Sequence, residues 1–252
     1  MTPKNLIRSL LPLPARRWLR RQPLRIQRMV RGNASLHLRT SPIDKDWGGK
    51  RGQIIDRYYI ERFLTQHASD VRGHVLEFFD DAYARQFGGS KVAKVDVLHV
   101  SADNPKATII ADLSDGRQIP SDTFDCVVCT QVLLFVYDLR AAVRNIYRIL
   151  KPGGVLLLTT PGIQKISRGD MKMSGEYWRF TTLSLRRLFE ETFPHESLEI
   201  TASGNVLSAT AFLHGLAVED LRREDLDYPD PDFPVSLALR AVKPPLTAES
   251  VH

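Results

Sequence analysis

The clearest hydrophobic pattern in the chain runs from Phe124 to Thr160. Phe124-Asp125 leads into Cys126-Val127-Val128-Cys129, an apolar run that ends on polar Thr130-Gln131, as a strand covered on both faces should. Asp138 is then a good N-cap, and Leu139, Ala142, Val143, Ile146, Ile149 and Leu150 recur at helical spacing behind it. Pro152-Gly153-Gly154 stops the helix, and Val155 to Thr160 resumes as a second buried strand. The three pieces make one crossover unit of a parallel sheet.

The same reading extends in both directions. Ile54 to Gln66, with Ile55, Tyr59 and Phe63 on one side, predicts the first domain helix. Further strands are predicted over 74–78, 92–97, 108–111, 198–202 and 235–242, and helices over 183–193 and 206–216, the latter apolar enough to be buried. Few residues, Asn104-Pro105 among them, separate the second strand from the third, so a crossover helix barely fits there. Trp47-Gly48-Gly49-Lys50-Arg51-Gly52 reads as a hinge, and 225–234, with three prolines among its acids, as an exposed acidic loop. The expected fold is a single doubly wound, Rossmann-like α/β domain of about seven strands over 53–243, the last strand antiparallel, between an N-terminal arm and hinge (1–52) and a tail (244–252).

Charge changes this picture at one end. The net charge is +6, yet residues 1–43 hold ten Lys or Arg and no acid, so the remainder carries 25 basic against 29 acidic groups. A basic arm therefore precedes a mildly acidic domain. That suits an anionic membrane surface or a protein partner, and makes nucleic acid an unexpected ligand for the domain face. No apolar run reaches the roughly 20 residues of a membrane helix, so a cytoplasmic protein, peripheral at a membrane through its arm, is expected. Cys126 and Cys129 are three apart on a predicted strand and thus point to opposite faces, which favours two small core residues over a metal or redox pair.

Ile119-Pro120, Phe124-Asp125 and Lys151-Pro152-Gly153-Gly154, in this order, resemble the middle of the class I S-adenosylmethionine-dependent methyltransferases, in the branch called type 11. After the first strand that family carries E-x-G-x-G-x-G. This chain reads Glu77-Phe78-Phe79-Asp80-Asp81-Ala82-Tyr83, keeping the acid and placing Phe79, Asp81 and Tyr83 at the glycine positions. The resemblance implies S-adenosyl-L-methionine as cofactor and a small-molecule methyl acceptor. It implies that Glu77 and Phe79 flank the cofactor, with the Phe79 ring filling the space of its methionine end. It also implies that Asp96, at the exit of the second strand, accepts the ribose hydroxyls, and that Asp112 and Leu113 at the third exit contact adenine. Thr130 would face the sulfonium, and Gln131, Asp170, Tyr177, Trp178 and Arg179 the acceptor.

Other readings stay open beside these. Asp96 is also an ordinary solvated strand-end aspartate, and Tyr177 to Phe180 an ordinary packed loop. Arg51 and Arg57 are candidates for the cofactor carboxylate or members of a solvated helix face, and His214 is a lone histidine on an apolar helix. No Ser/His/Asp set, phosphate loop or metal-ligand spacing stands out, and no catalytic base is identified. The alternative to an enzyme is a binding or scaffold protein that keeps the fold without the activity. A nucleotide-linked oxidoreductase is disfavoured by the lack of G-x-G-x-x-G.

Overall fold

The computed structural model describes residues 40–246. Most of the basic arm, and residues 247–252 of the tail, lie outside the described residues. Residues 43–246 form one compact unit. Its order is α1 (Ile55–Gln66), β1 (Gly73–Phe78), β2 (Val92–His99), β3 (Ile109–Ile110), β4 (Phe124–Thr130), α2 (Leu139–Ile149), β5 (Leu150–Pro161), α3 (Arg168–Met173), α4 (Thr182–Glu190), β6 (Leu198–Ser203), α5 (Val206–His214), α6 (Arg223–Asp227) and β7 (Ser236–Val242).

The seven strands form one sheet in the order β3-β2-β1-β4-β5-β7-β6. β1 to β5 pair in parallel, while β7 lies antiparallel between β5 and β6. The chain reverses direction across the sheet between β1 and β4, the switch point where open α/β sheets hold their ligands. β4 and β5 are buried on both faces. Cys126, Val128 and Leu157 pack under α1 with Ile60 and Phe63, whereas Cys129, Leu156 and Leu158 pack under α2 and α4 with Ile146 and Phe189. The two cysteines are therefore free, buried and on opposite faces, as the strand period requires. Asp138 caps α2 by accepting from the Ala141 amide at 3.0 Å.

Three expectations change. The segment 47–52 is not a hinge: Trp47 stacks on Phe212 at 5.2 Å, and Arg51 grips Asp220 through Nε (2.8 Å) and Nη2 (2.6 Å). Glycines there serve close backbone approach, since a Cβ on Gly48 would meet the Leu216 carbonyl. The acidic loop begins as α6, with Leu226 buried and Asp227 held by Tyr58 and Arg62. The apolar α5 is buried on one side alone. Ala209 and Phe212 meet Ile55 and Tyr59, while Val206, Leu207 and Leu213 face outward. Mean apolarity does not say how many sides of a helix have neighbours.

Candidate functional site

The exit of β1 closes on itself. Glu77 shares the α1 side of the sheet with Val75 and is 3% exposed. Its Oε1 accepts from the Tyr83 amide at 3.1 Å and its Oε2 from the Ala84 amide at 2.7 Å, so the acid caps the turn that follows the strand. Burial raises its carboxyl to about 7, against the pull of the two amides. Phe79 sits in the left-handed region (φ 72), the conformation a glycine would adopt there without strain. Its amide donates to the Leu98 carbonyl, and its carbonyl accepts from Asn104 Nδ2 at 2.6 Å. The ring is 66% exposed and leans edge-on against His99.

Asp96 is not a strand exit. β2 pairs with β1 through Phe78↔Leu98 and runs on to His99, which leaves Asp96 inside the strand beside Leu76. The carboxylate is already occupied, by His74 Nε2 at 2.6 Å, Lys94 Nζ at 2.8 Å and Thr108 Oγ1 at 2.9 Å. Burial alone would raise its pKa, but these bonds hold it below the ordinary range. At the third exit Asp112 is exposed and its Oδ1 accepts from the amide and hydroxyl of Ser114. Leu113 is 2% exposed and belongs to the core with Ile119 and Ile146, so it does not face the exit.

The exits of β4 and β5 are built differently. Thr130 pairs with Thr159, and the Gln131 amide reaches the Thr159 carbonyl at 2.9 Å. Gln131 also takes a left-handed backbone (φ 55), yet its side chain turns inward. Both Nε2 and Oε1 are buried without a hydrogen-bond partner. Thr159 and Thr160 are fully buried, and their hydroxyls lack partners too. Native interiors rarely leave such groups unpaired, so their clustering at two adjacent exits marks a place that a ligand would satisfy. The sequence carried a signal for this pair, two threonines closing an otherwise apolar strand.

A wall stands beside them. The Tyr177 amide donates to the Leu134 carbonyl at 2.8 Å, the Phe180 amide to that of Pro161 at 3.0 Å, and Trp178 Nε1 to that of Val136 at 3.0 Å. These bonds bring 177–180 against the β4 and β5 exits. Tyr177 is half exposed and meets Tyr137, a residue the sequence reading missed, at 5.3 Å. Arg179 is not free for an acceptor. It donates to the carbonyls of Trp178, Lys165 and Gln164 and pairs with buried Glu176, locking the loop together. Asp170 lies in the first turn of α3, capped by Ser167. Arg51 is taken up by Asp220, whose carboxyl it holds down to about 2. His214 gives its carbonyl to the amides of Ile43 and Asp44. No three or more His, Cys, Asp or Glu among the described residues form a metal-binding group.

Residues 73–158, from β1 to β5, match a family model described as a methyltransferase domain. Over this segment the chain is similar to S-adenosylmethionine-dependent methyltransferases. The ubiquinone/menaquinone biosynthesis C-methyltransferase UbiE of Enterobacter sp. (strain 638) is 32% identical over 90 residues, covering 29% of this chain and 36% of that protein. A probable S-adenosylmethionine-dependent methyltransferase of Mycolicibacterium smegmatis is 33% identical over 86 residues, 34% of each chain. The chain matches about a third of the length of these curated relatives. Among solved structures it is similar to a SAM-dependent methyltransferase from Archaeoglobus fulgidus (TM-score 0.50, 12% identity, covering 74% of this chain and 94% of that one). The cyclase SpnF is similar as well (TM-score 0.51, 18% identity, 82% and 87%). At these identities the likeness is one of fold, and a fold does not fix a reaction.

Proposed function

We propose that this chain is a methyltransferase that moves a methyl group from S-adenosylmethionine to a small-molecule acceptor at the exits of β1, β4 and β5. The observation that carries the reading is the set of buried, partnerless polar atoms on Gln131, Thr159 and Thr160, beside the glycine-like turn at Phe79. The residues fit the cofactor of the family. Its bound form would supply a methyl on a positively charged sulfur, so the protein has mainly to position the acceptor. Glu77 would hold the turn under the cofactor, and Asp112 would accept from an adenine amine. Thr130 and Gln131 would lie between cofactor and acceptor, with Asp170, Tyr177 and Trp178 along the acceptor side. Arg179 would act by holding that loop in shape. Asp96 and Leu113 have no part in the site under this reading.

Isothermal titration of S-adenosylhomocysteine into the full chain tests the proposal. Binding is expected, weak for this class because side chains stand at three glycine positions of the turn. Absence of heat at millimolar ligand would leave a scaffold protein as the better account. The arm of ten positive charges would add attraction to an anionic membrane surface. Deleting residues 1–43 should abolish salt-sensitive association with anionic vesicles. Association that survives the deletion would remove the arm from this role.

A further inference from the structure

Asp56, one buried carboxyl that the sites above do not use, stands at the same end of the sheet. It lies in the first turn of α1, is 8% exposed, and its Oδ1 is buried without a hydrogen-bond partner. A carboxyl withdrawn from water without a partner is costly, and burial pushes its pKa up against the opposing pull of Arg57. α1 runs against β1, joined to it by a short turn, so its first turn lies at the carboxyl ends of the strands. Asp56 is one turn before Ile60 and two before Phe63, which pack on Val75, Val128 and Leu157. Beyond Val128 and Leu157, on that same face, come Thr130 and the partnerless hydroxyl of Thr159.

Arg57 is next in the chain. Its guanidinium lies near the Tyr83 hydroxyl, with Asp56 and Glu61 the nearby acids, and the Tyr83 amide in turn rests on Glu77. Arg57 forms none of the ion pairs found among the described residues. A buried acid with an unpaired Oδ1 and a guanidinium with no carboxylate at salt-bridge distance thus lie near the turn that carries side chains at the family's three glycine positions.

We propose that Asp56 and Arg57 receive a zwitterionic α-amino acid group, the amino acid end of S-adenosylmethionine, Asp56 taking the ammonium and Arg57 the carboxylate. The ammonium would supply the donor that Asp56 lacks, and a guanidinium matches a carboxylate in both charge and fork geometry. The pair would replace contacts that the turn at Phe79, Asp81 and Tyr83 no longer makes. This rests on the cofactor proposed above.

The test compares S-adenosylhomocysteine with 5′-methylthioadenosine, which lacks the amino acid end, by isothermal titration of the full chain. In the wild type the first ligand should bind about tenfold tighter or more. Asp56→Asn and Arg57→Gln should each erase about a tenfold preference while leaving methylthioadenosine unchanged. Equal weakening of both ligands, or unchanged affinity for the first, would overturn the assignment and make the pair structural. Failure of the wild type to bind either ligand would overturn the cofactor reading itself, and the assignment with it. Thermal melts report folding of each variant, and Arg57→Gln carries the comparison if Asp56→Asn does not fold.

Discussion

Phe79 and Gln131 each stand at a strand exit in the left-handed region, φ 72 and 55, where neither residue type is at ease. At the first, the protein satisfies everything itself: Asn104 and Leu98 bond the main chain, Glu77 holds the following amides, and the ring turns outward. At the second, the side chain turns inward and its amide bonds to nothing. Similar backbone turns thus give one exit whose polar groups are paired within the chain and one whose side-chain amide is not. Strain alone is a weak sign of a site, and an unsatisfied buried group beside it is what makes Gln131 the stronger candidate.

Breaking the closed exit should have the largest effect. Glu77→Ala strands two amide donors in a buried turn, and should cost about 3 kcal/mol of stability in urea unfolding. A loss below about 1 kcal/mol would mean that the turn holds without its acid.

The pH dependence sharpens the same point. The folded-state pKa of Glu77, about 7, lies above its ordinary 4.5, so its neutral form is favoured by folding. This contribution is complete below pH 4.5 and is lost as pH rises through 7, a fall of about 3 kcal/mol by linkage. Glu77→Gln should flatten that part of the wild-type profile, and an unaltered slope would assign the fall to another group.

The open side is tested by ligand. Asp112→Ala should weaken S-adenosylhomocysteine by about 1 to 2 kcal/mol in titration, since it removes an acceptor at an exposed exit. Asp96→Ala should leave affinity alone and lower stability instead, because its carboxylate serves His74, Lys94 and Thr108. Reversed results would place the ligand on the wrong strand.

Gln131→Leu removes a buried unpaired amide and should therefore stabilise the ligand-free protein by about 1 kcal/mol while weakening S-adenosylhomocysteine or acceptor binding. A destabilised variant would mean that the amide has a partner after all. The smallest change is expected at Phe79→Gly. Relief of the left-handed strain is partly offset by the entropy of a glycine in the unfolded chain, leaving a gain of about 0.5 kcal/mol in thermal melts. The exposed ring has little burial to lose.

Much of the architecture was legible because it rests on local, additive properties. An apolar run ending in Thr130-Gln131 and a capped helix need no distant partner to be recognised, and β4 and α2 lie where those signals put them, while β5 starts at Leu150, before the expected Val155, and includes the Pro152-Gly153-Gly154 segment. The short β2–β3 link and the opposite-facing cysteines followed from chain length and strand period in the same way. The family block between Ile119 and Gly154 was legible too, as a linear order of residue types. Tertiary structure decided what depends on a second segment. Asp96 became an interior strand residue because Phe78 pairs with Leu98 and carries β2 on to His99. Leu113 went into the core, and Arg179 into its loop, because Ile146 and Glu176 were waiting for them. Whether a polar atom is satisfied is likewise a relation between segments, so only the fold shows that side-chain atoms of Asp56, Gln131 and Thr159 lack a partner.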